Sequence, residues 1–336
     1  GYTRRQLPGR NGIRVPAALF DRGQGWSRVP VASPGDEDGL MAVASHKKGG
    51  TWGVGFTSSG SEISPLDVTW DGQRWSRDSP RVGGSLAFFT DVAMVGDGRP
   101  LAVGYRMAGD GRRVPLVYRR DKARWARVPM GLAKGESIGL MGVAPSGAGS
   151  YWVVGHGGKK GAVKPVLFEW RNRKWKRHKA PSSRGEAVLT NVDAAGRGSS
   201  WAVGYERLAG VTKPLVLRWN GSRWKRAKAP MVDSDVALLS SVSVDPDGGV
   251  WAVGAAWDDQ RKSFEALAAW WDGQTWNVTT GGTGGTELND VTGSLTSEGW
   301  AVGRSGSSGR ITHVCTPPQA GVFGSSEPLP QTGDAE

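Results

Sequence analysis

A sequence repeat with a period of about fifty residues constrains the fold of this chain more than any other feature. Six copies of the dipeptide Val-Gly follow one another with spacings of 49, 51, 49, 50 and 49 residues. The copies are Val54-Gly55, Val103-Gly104, Val154-Gly155, Val203-Gly204, Val253-Gly254 and Val302-Gly303. A second marker with a similar period consists of Trp26, Trp75, Trp125, Trp175, Trp224 and Trp276. Two independent markers with a common period indicate that the chain is built from equivalent structural units.

Residues 187–230 illustrate what one unit contains. Four short runs rich in aliphatic and aromatic residues lie at 187–194, 200–205, 214–219 and 222–226. This composition, together with many glycines between the runs, favours strands over helices. Asn220-Gly221 separates the third run from the fourth, and this pair predicts a two-residue hairpin turn. Four strands in a unit of about fifty residues are typical of one β-propeller blade.

The sequence therefore predicts an all-β, six-bladed β-propeller with four-stranded blades over residues 16–315. Five complete blades are expected at about 40–80, 86–129, 138–181, 188–230 and 237–280. The last unit, 288–315, lacks the final turn and tryptophan, and residues 16–30 contain a segment that matches the missing part. The N-terminal segment is therefore expected to complete the last blade and to close the ring. Residues 1–15 would be an N-terminal extension, and residues 316–336 a tail rich in Pro, Gly and Ser.

Two sequence patterns resemble known proteins. Trp-Ala-Val-Gly followed by Trp-Asp/Asn-Gly-x-x-Trp resembles secreted bacterial propellers of lectin-like type, notably those of high-GC actinobacteria. This resemblance covers residues 16–315 and implies an architecture rather than an activity. The tail contains Leu329, Pro330, Gln331, Thr332 and Gly333, which resemble the Leu-Pro-x-Thr-Gly sorting signal that sortase cleaves in Gram-positive surface proteins. Together the patterns imply an extracellular or cell-wall protein.

The charge of the chain favours anionic partners. Lys and Arg number 43 against 31 Asp and Glu, which gives a net charge of +12. Many of these basic residues lie on the predicted fourth strands: Arg74, Arg77, Arg124, Arg127, Lys174, Lys176, Arg177, Arg223, Lys225 and Arg226. They either protect exposed sheet edges from pairing with other chains or form a rim that binds polyanions. The sequence does not show them converging on one groove, so no specific nucleic-acid partner is expected. The chain also lacks a run of 18 apolar residues, so no transmembrane segment is expected.

Two positions of the repeat are candidate ligand contacts, whereas the repeated tryptophans are expected to form the core. The residue before the repeated first-strand valine is small and mostly polar, as in Asp91, Asn191, Ser241 and Asp290. The residue directly after Val-Gly varies in its chemistry: it is Phe56, Tyr105, His156, Tyr205 or Arg304 in five of the units. Aromatic rings near carboxylates and amides suit carbohydrates, and Trp257 is a further stacking candidate. A water-filled channel and unequal loop packing are the simpler explanations of the two patterns.

Three functional hypotheses follow. The favoured one is a non-catalytic binding module for a glycan or an anionic envelope polymer. The first alternative is an enzyme, such as a glycosidase, a lyase or a biosynthetic cyclase, in which Asp91 and Asp290 would form a carboxylate pair. The second alternative is a protein-interaction scaffold in a secreted assembly. The sequence contains only one cysteine, Cys315, and its four histidines show no metal-ligand spacing, so neither a metal nor a cofactor is expected.

Overall fold

The structure, a computed structural model, describes residues 2–315 and 327–328 except for short gaps. The gaps are residues 8–9, 22–25, 32–34, 47–49, 95–97, 122–123, 148, 160, 197, 283–284, 294–297 and 306–307. The predicted sorting motif, Leu329–Gly333, therefore lies outside the described residues. All regular secondary structure in the described part is β-strand, and this part contains no helix long and apolar enough to cross a membrane. The described residues divide into two compact units, one that comprises the residues up to 130 together with Pro328, and one that comprises residues 131–327.

The first unit contains three antiparallel sheets, and strands that are consecutive in the chain are neighbours in each sheet. The first sheet is β1 (Tyr2–Leu7), β2 (Arg10–Asp21) and β3 (Trp26–Pro30). Blade 1 is β4 (Glu37–His46), β5 (Gly50–Ser59), β6 (Glu62–Trp70) and β7 (Trp75–Arg77). Blade 2 is β8 (Ala87–Met94), β9 (Pro100–Met107), β10 (Arg113–Asp121) and β11 (Arg124–Arg127).

The second unit contains four sheets of the same four-stranded kind. Blade 3 is β12 (Ile138–Gly147), β13 (Ser150–Gly157), β14 (Lys164–Arg171) and β15 (Lys174–His178). Blade 4 is β16 (Glu186–Ala194), β17 (Ser200–Leu208), β18 (Val211–Trp219) and β19 (Trp224–Arg226). Blade 5 is β20 (Ala237–Val244), β21 (Val250–Asp258), β22 (Ser263–Trp271) and β23 (Trp276–Gly281). Blade 6 is β24 (Thr286–Gly293), β25 (Glu298–Ser305), β26 (Ser308–Cys315) and β27 (Glu327–Pro328).

A β-bulge at one place in every first strand explains the repeated Val-Gly. In blade 4 the register shifts between Leu189 and Asn191, and the other five blades shift at the equivalent position. Opposite this bulge, a Cβ added to Gly204 would overlap the carbonyl oxygen of Val188. The glycine of every other Val-Gly copy approaches the first strand in the same way. Only glycine leaves room for the backbone there, so the bulge accounts for the repeated residue.

Six of the repeated tryptophans are buried, as the sequence predicts, whereas Trp300 is 42% exposed; the buried ones are Trp52, Trp125, Trp152, Trp201, Trp224 and Trp251. Trp152 is 2% exposed and packs against Trp219 and Trp224 of the next blade, with ring centroids 4.9 and 5.0 Å away. Its indole N–H also donates to the Ser200 hydroxyl at 3.0 Å. In the first unit Trp52 makes a T-shaped contact with Trp125 of blade 2. Burial of such large side chains is a main source of hydrophobic stabilisation in these sheets.

The N-terminal segment forms a three-stranded sheet with its own neighbours in sequence, and the prediction that residues 16–30 complete the last blade and close the ring is not confirmed. β2 pairs with β1 on one side and with β3 on the other, where the register runs from Ala17 opposite Pro30 to Asp21 opposite Trp26. Blade 6 instead contains β26 and β27 as its third and fourth strands. The physical reason is local: residues 2–7, expected to be an extension, supply a nearby strand, and neighbours in sequence tend to pair.

The turn at Asn220-Gly221 is also longer than predicted. Trp219 pairs with Trp224, so four residues lie between the two strands rather than two. The Asn220 side-chain oxygen accepts the N–H groups of Ser222 and Arg223 at 3.1 and 2.9 Å, and Gly221 has a φ of 91°. The side chain of Asn220 therefore stabilises the turn, as Asp and Asn commonly do in loops.

Candidate functional site

The small polar residues that precede the repeated first-strand valine directly follow the bulges of their strands. Asp91 lies on β8, Asn191 on β16, Ser241 on β20 and Asp290 on β24. In the second unit, their side chains connect neighbouring blades. The Asn191 side-chain oxygen accepts the Val242 N–H at 3.2 Å, and the Ser241 hydroxyl lies 2.5 Å from Asp290 Oδ1. Packing between adjacent first strands therefore explains part of this polar pattern.

Two carboxyl groups in this region have raised pKa values. Burial is the main cause of the raised pKa of Asp290, and the hydrogen bond with Ser241 acts in the opposite direction. One side of Asp290 is open, but protein surrounds its other sides and limits the water that could solvate its charge. Burial likewise raises the pKa of Asp193, the hydrogen bond from the Val244 N–H lowers it, and the charge of Asp290 raises it further. Asp91 belongs to the other unit, so the Asp91–Asp290 pair stays a prediction.

The residues directly after Val-Gly pair with residues of the third strand in their own sheets. Phe56, Tyr105, His156 and Tyr205 are opposite the third-strand prolines Pro65, Pro115, Pro165 and Pro214. His156 is buried, and the other three are half-buried. Tyr105 contacts Phe88 with ring centroids 4.6 Å apart, and burial raises its pKa. Arg304 forms an ion pair with Glu287 at 2.9 Å. These side chains have neighbours within their own blades, and their contact with a ligand stays a prediction.

Trp257 lies near the end of β21 and is half-buried. Its ring makes a T-shaped contact with Phe264, with centroids 5.3 Å apart. Its indole N–H donates to Asp259 at 3.2 Å. One part of the ring is therefore held by its neighbours while another part is open, and its role as a stacking platform also stays a prediction.

A cleft in the first unit brings three arginines together, and sequence reasoning missed it. Arg81 precedes β8, Arg106 lies on β9 and Arg127 lies at the end of β11. The cleft has a volume of about 330 Å³, and its remaining lining residues are Val82, Gly83, Leu116 and Tyr118. Leu116 and Tyr118 are buried and form an apolar floor. The volume is near the lower end of the range for small-molecule sites.

These three arginines form no ion pair with a carboxylate in the described part of the chain, in contrast to Arg226 of blade 4 and Arg177 of blade 3. In blade 4, Arg226 at the end of the fourth strand donates to Glu206 at 2.8 Å. In blade 3, Arg177 at the end of the fourth strand donates to Glu136 at 2.6 Å. Arg127 of blade 2 occupies the same strand position but faces a cleft lined by other cations.

The register of the sheets shows that an arginine replaces the acidic partner. On β17, Glu206 pairs with Ala187, and on β9, Arg106 pairs with Ala87. Both residues are the second after Val-Gly, so they are equivalent in the repeat. Blade 2 therefore has a guanidinium where blade 4 has a carboxylate. The repulsion among the three arginines would be relieved by a bound anion, which could accept hydrogen bonds from several of them.

A signal for this cleft was present in the sequence. The signal lies one residue beyond the position after Val-Gly that was predicted to contact a ligand. At that position the units have Thr57, Arg106, Gly157, Glu206, Ala256 and Ser305. The change from Glu to Arg reverses a charge at one structural position, which indicates a different role in blade 2. The contribution of Arg81 could not be foreseen, because it comes from the segment between blades.

A buried carboxyl lies beneath the same region. Asp67 on β6 is fully buried, and its Oδ2 accepts the indole N–H of Trp125 at 2.9 Å. Trp125 precedes Arg127 by two residues on β11. Burial raises the pKa of Asp67 to about 7, while the Trp125 hydrogen bond and the charge of Arg120 lower it. No hydrogen-bond partner for Asp67 Oδ1 is found among the described residues. A group that changes charge near neutral pH therefore joins blades 1 and 2.

Comparison with known proteins supports the fold. No family model matches the chain, and no curated protein matches it. Among solved structures, a catalytically inactive virginiamycin B lyase from Staphylococcus aureus, with quinupristin, is 11% identical with a TM-score of 0.56, covering 87% of this chain and 84% of that one. A polysaccharide lyase named ulvan lyase is 9% identical with a TM-score of 0.54, and the match covers 82% of this chain and 78% of that one. A Hadza microbial sialidase is 14% identical with a TM-score of 0.53, and the match covers 79% of this chain and 63% of that one.

These similar structures are propeller-type proteins. At identities this low the likeness shows the fold and does not transfer an activity. The chain therefore has an all-β fold of propeller type, built from four-stranded antiparallel sheets.

Proposed function

We propose that this protein is a non-catalytic binding module for an acidic glycan or another anionic envelope polymer. The observation that carries the proposal is the blade 2 cleft, where Arg81, Arg106 and Arg127 converge without a carboxylate partner among the described residues. Guanidinium groups are well suited to bind anionic groups through several hydrogen bonds at once. The apolar floor of the cleft suits the C–H face of a sugar ring.

The charge of the whole chain and the similar structures are consistent with this proposal. A net charge of +12 attracts polyanions over a distance and speeds their encounter with the cleft. Two of the similar structures are named as a polysaccharide lyase and a sialidase. The proposal includes an extracellular or cell-wall location, which is supported by the sequence of residues 329–333.

Removing two arginines from the cleft is expected to weaken binding to anionic polymers. Each hydrogen-bonded charge contact contributes about 1.5–3 kcal/mol, so the double variant Arg106→Ala/Arg127→Ala should bind at least about tenfold more weakly. Affinity electrophoresis through gels that contain polygalacturonate, alginate or a sulfated polysaccharide would measure the change. The matched control is Arg223→Ala/Arg226→Ala, which removes the same charge from the fourth strand of blade 4 and the turn before it. Equal loss of binding in both double variants would contradict a role for the cleft.

A second candidate function is an enzyme, as the sequence alternative states. The specific observation is that Asp290 and Asp193 have raised pKa values and that Ser241 lies 2.5 Å from Asp290. A raised pKa makes a carboxyl group a better candidate for a general acid, because a larger fraction of it is protonated at a given pH.

If the protein is an enzyme of this kind, Asp290→Asn should lower kcat/KM by at least about hundredfold, because the variant has no titrating proton. Turnover of candidate polysaccharides would be followed by the release of reducing ends or of unsaturated products. The control is Asp247→Asn, a change at an exposed carboxylate. Full turnover by the Asp290→Asn variant would exclude that residue from catalysis.

A further inference from the structure

We propose that the blade 2 cleft recognises specifically a carboxylate group of its ligand, such as that of a uronic acid, rather than a sulfate or phosphate. This inference rests on the proposed function, and it names the chemical class that the site selects. The basis is a comparison of blade 2 with blade 4. In blade 4 the equivalent position is occupied by a carboxylate of the protein itself, that of Glu206.

In blade 4 the Glu206 carboxylate is bound from two directions. Its Oε1 accepts the backbone N–H groups of Arg184 and Gly185 at 2.5 and 3.4 Å. Its Oε2 accepts a hydrogen bond from Arg226 Nη2 at 2.8 Å. The hydrogen bonds from Arg226 and from these backbone groups lower the pKa of Glu206 against the effect of its burial, so it is charged at neutral pH. The site thus has donors for the two oxygens of a single carboxylate.

The corresponding donors are present in blade 2, but the carboxylate is not. By the register of the repeat, Gly84 and Ser85 correspond to Arg184 and Gly185, and Arg127 corresponds to Arg226. No hydrogen bond from the N–H of Gly84 or Ser85 is found within the described residues. Arg106, in place of Glu206, lies close to Gly84, since its Nη1 is 3.8 Å from a Cβ built there. A ligand carboxylate in the cleft would therefore meet Arg127 in the place of Arg226, with the additional positive charge of Arg81 and Arg106.

The mixed lining of the cleft, with arginines beside apolar side chains, favours a planar anion over a tetrahedral one. A carboxylate can place both oxygens towards a guanidinium in a bidentate arrangement, and its carbon then leads back to the rest of the ligand. A sulfate or phosphate monoester carries three terminal oxygens, so it presents more anionic oxygens to a lining that also includes the apolar side chains of Val82 and Leu116. An anionic oxygen without a hydrogen-bond donor is costly to bury. The same apolar surface can contact the C–H groups of a sugar ring.

The test compares three tetrasaccharides by isothermal titration calorimetry at one ionic strength. They are tetragalacturonate, its fully methyl-esterified form, and a sulfated galactan tetrasaccharide that lacks carboxylates. The methyl ester preserves the sugar rings and removes the charge. Each ligand is titrated into the wild-type chain and into the Arg106→Ala, Arg127→Ala and Arg226→Ala variants. Arg226→Ala is the matched control, because it changes the same residue type at the same strand position of another blade.

We expect tetragalacturonate to bind at least about tenfold more tightly than the sulfated ligand, and the methyl ester to show no measurable binding. Arg106→Ala and Arg127→Ala should each weaken tetragalacturonate binding about tenfold or more, while Arg226→Ala should leave it unchanged. If the sulfated ligand binds as tightly as tetragalacturonate, and both depend on Arg106, carboxylate selectivity is overturned while the proposed function stands. If neither charged ligand binds, both proposals fail.

Discussion

Replacing Gly204 by alanine should destabilise the protein by about 3 kcal/mol or more, because the new Cβ would overlap the carbonyl oxygen of Val188 on the neighbouring strand. The obstacle is backbone rather than a flexible side chain, so the variant can relieve the overlap only by moving β16 away from β17. Such a movement would disturb the bulge at Thr190, whose hydroxyl donates to the carbonyl oxygens of Val203 and Leu239 at 3.1 and 2.8 Å. Chemical denaturation followed by tryptophan fluorescence would measure the shift in the unfolding midpoint.

The matched control for this prediction is Gly198→Ala, in the turn between the same two strands. No heavy atom lies within 4 Å of a Cβ built at Gly198. This variant should therefore change the free energy of unfolding by no more than about 0.5 kcal/mol. If the Gly204→Ala and Gly198→Ala variants unfold at the same denaturant concentration, the close approach of the strands is not the reason for the repeated glycine.

Replacing Asp67 by asparagine should make the protein more stable at pH 8, with a smaller effect at pH 5. Burial raises the pKa of Asp67 from its ordinary value of 3.8 to about 7, so the folded protein keeps a proton that the unfolded chain releases. The stability that this proton contributes is fully present below pH 3.8 and is lost as the pH rises through 7. The pKa shift corresponds to a contribution of at most about 4 kcal/mol to the free energy of unfolding. About 3 kcal/mol of this contribution is lost between pH 5 and pH 8.

Asparagine suits this test because its side-chain oxygen can still accept the Trp125 indole N–H and because it carries no charge at any pH. The quantity to measure is the difference in unfolding free energy between the variant and the wild type at each pH. Other titrating groups cancel in this difference, among them His178, whose pKa is lowered mainly by burial. A difference that stays constant from pH 5 to pH 8 would show that Asp67 does not titrate in this range.

The strands and their packing could largely be predicted from the sequence, because the repeat provides several aligned examples of each element. Trp152 was predicted to lie in the core, and its contacts with Trp219 and Trp224 confirm this. The bulge at Thr190 was not predicted, although the glycine that permits it was the clearest marker of the repeat. A bulge depends on how two strands approach each other, which the spacing of residues along one strand does not reveal.

Features that occur only once were harder to predict. The pairing of β2 with β1 has no counterpart in the repeat, so comparison between units could not reveal it. The arginine cleft combines residues from a connecting segment and two separate strands, Arg81, Arg106 and Arg127. Their convergence depends on the twist of one blade and on the path of the chain between blades. The roles of Asn191 and Ser241 in joining adjacent first strands likewise became clear only from the geometry.

The exchange of Glu206 in blade 4 for Arg106 in blade 2 has a consequence for the valency of such proteins. In blade 4 the Glu206 carboxylate lies where blade 2 would bind the anion of a ligand. A substitution that shortens the Glu206 side chain would therefore leave a second anion-binding position open beside Arg226. A chain with two such positions would bind two ligand carboxylates rather than one. Binding stoichiometry would therefore be gained or lost by single substitutions that leave every sheet intact.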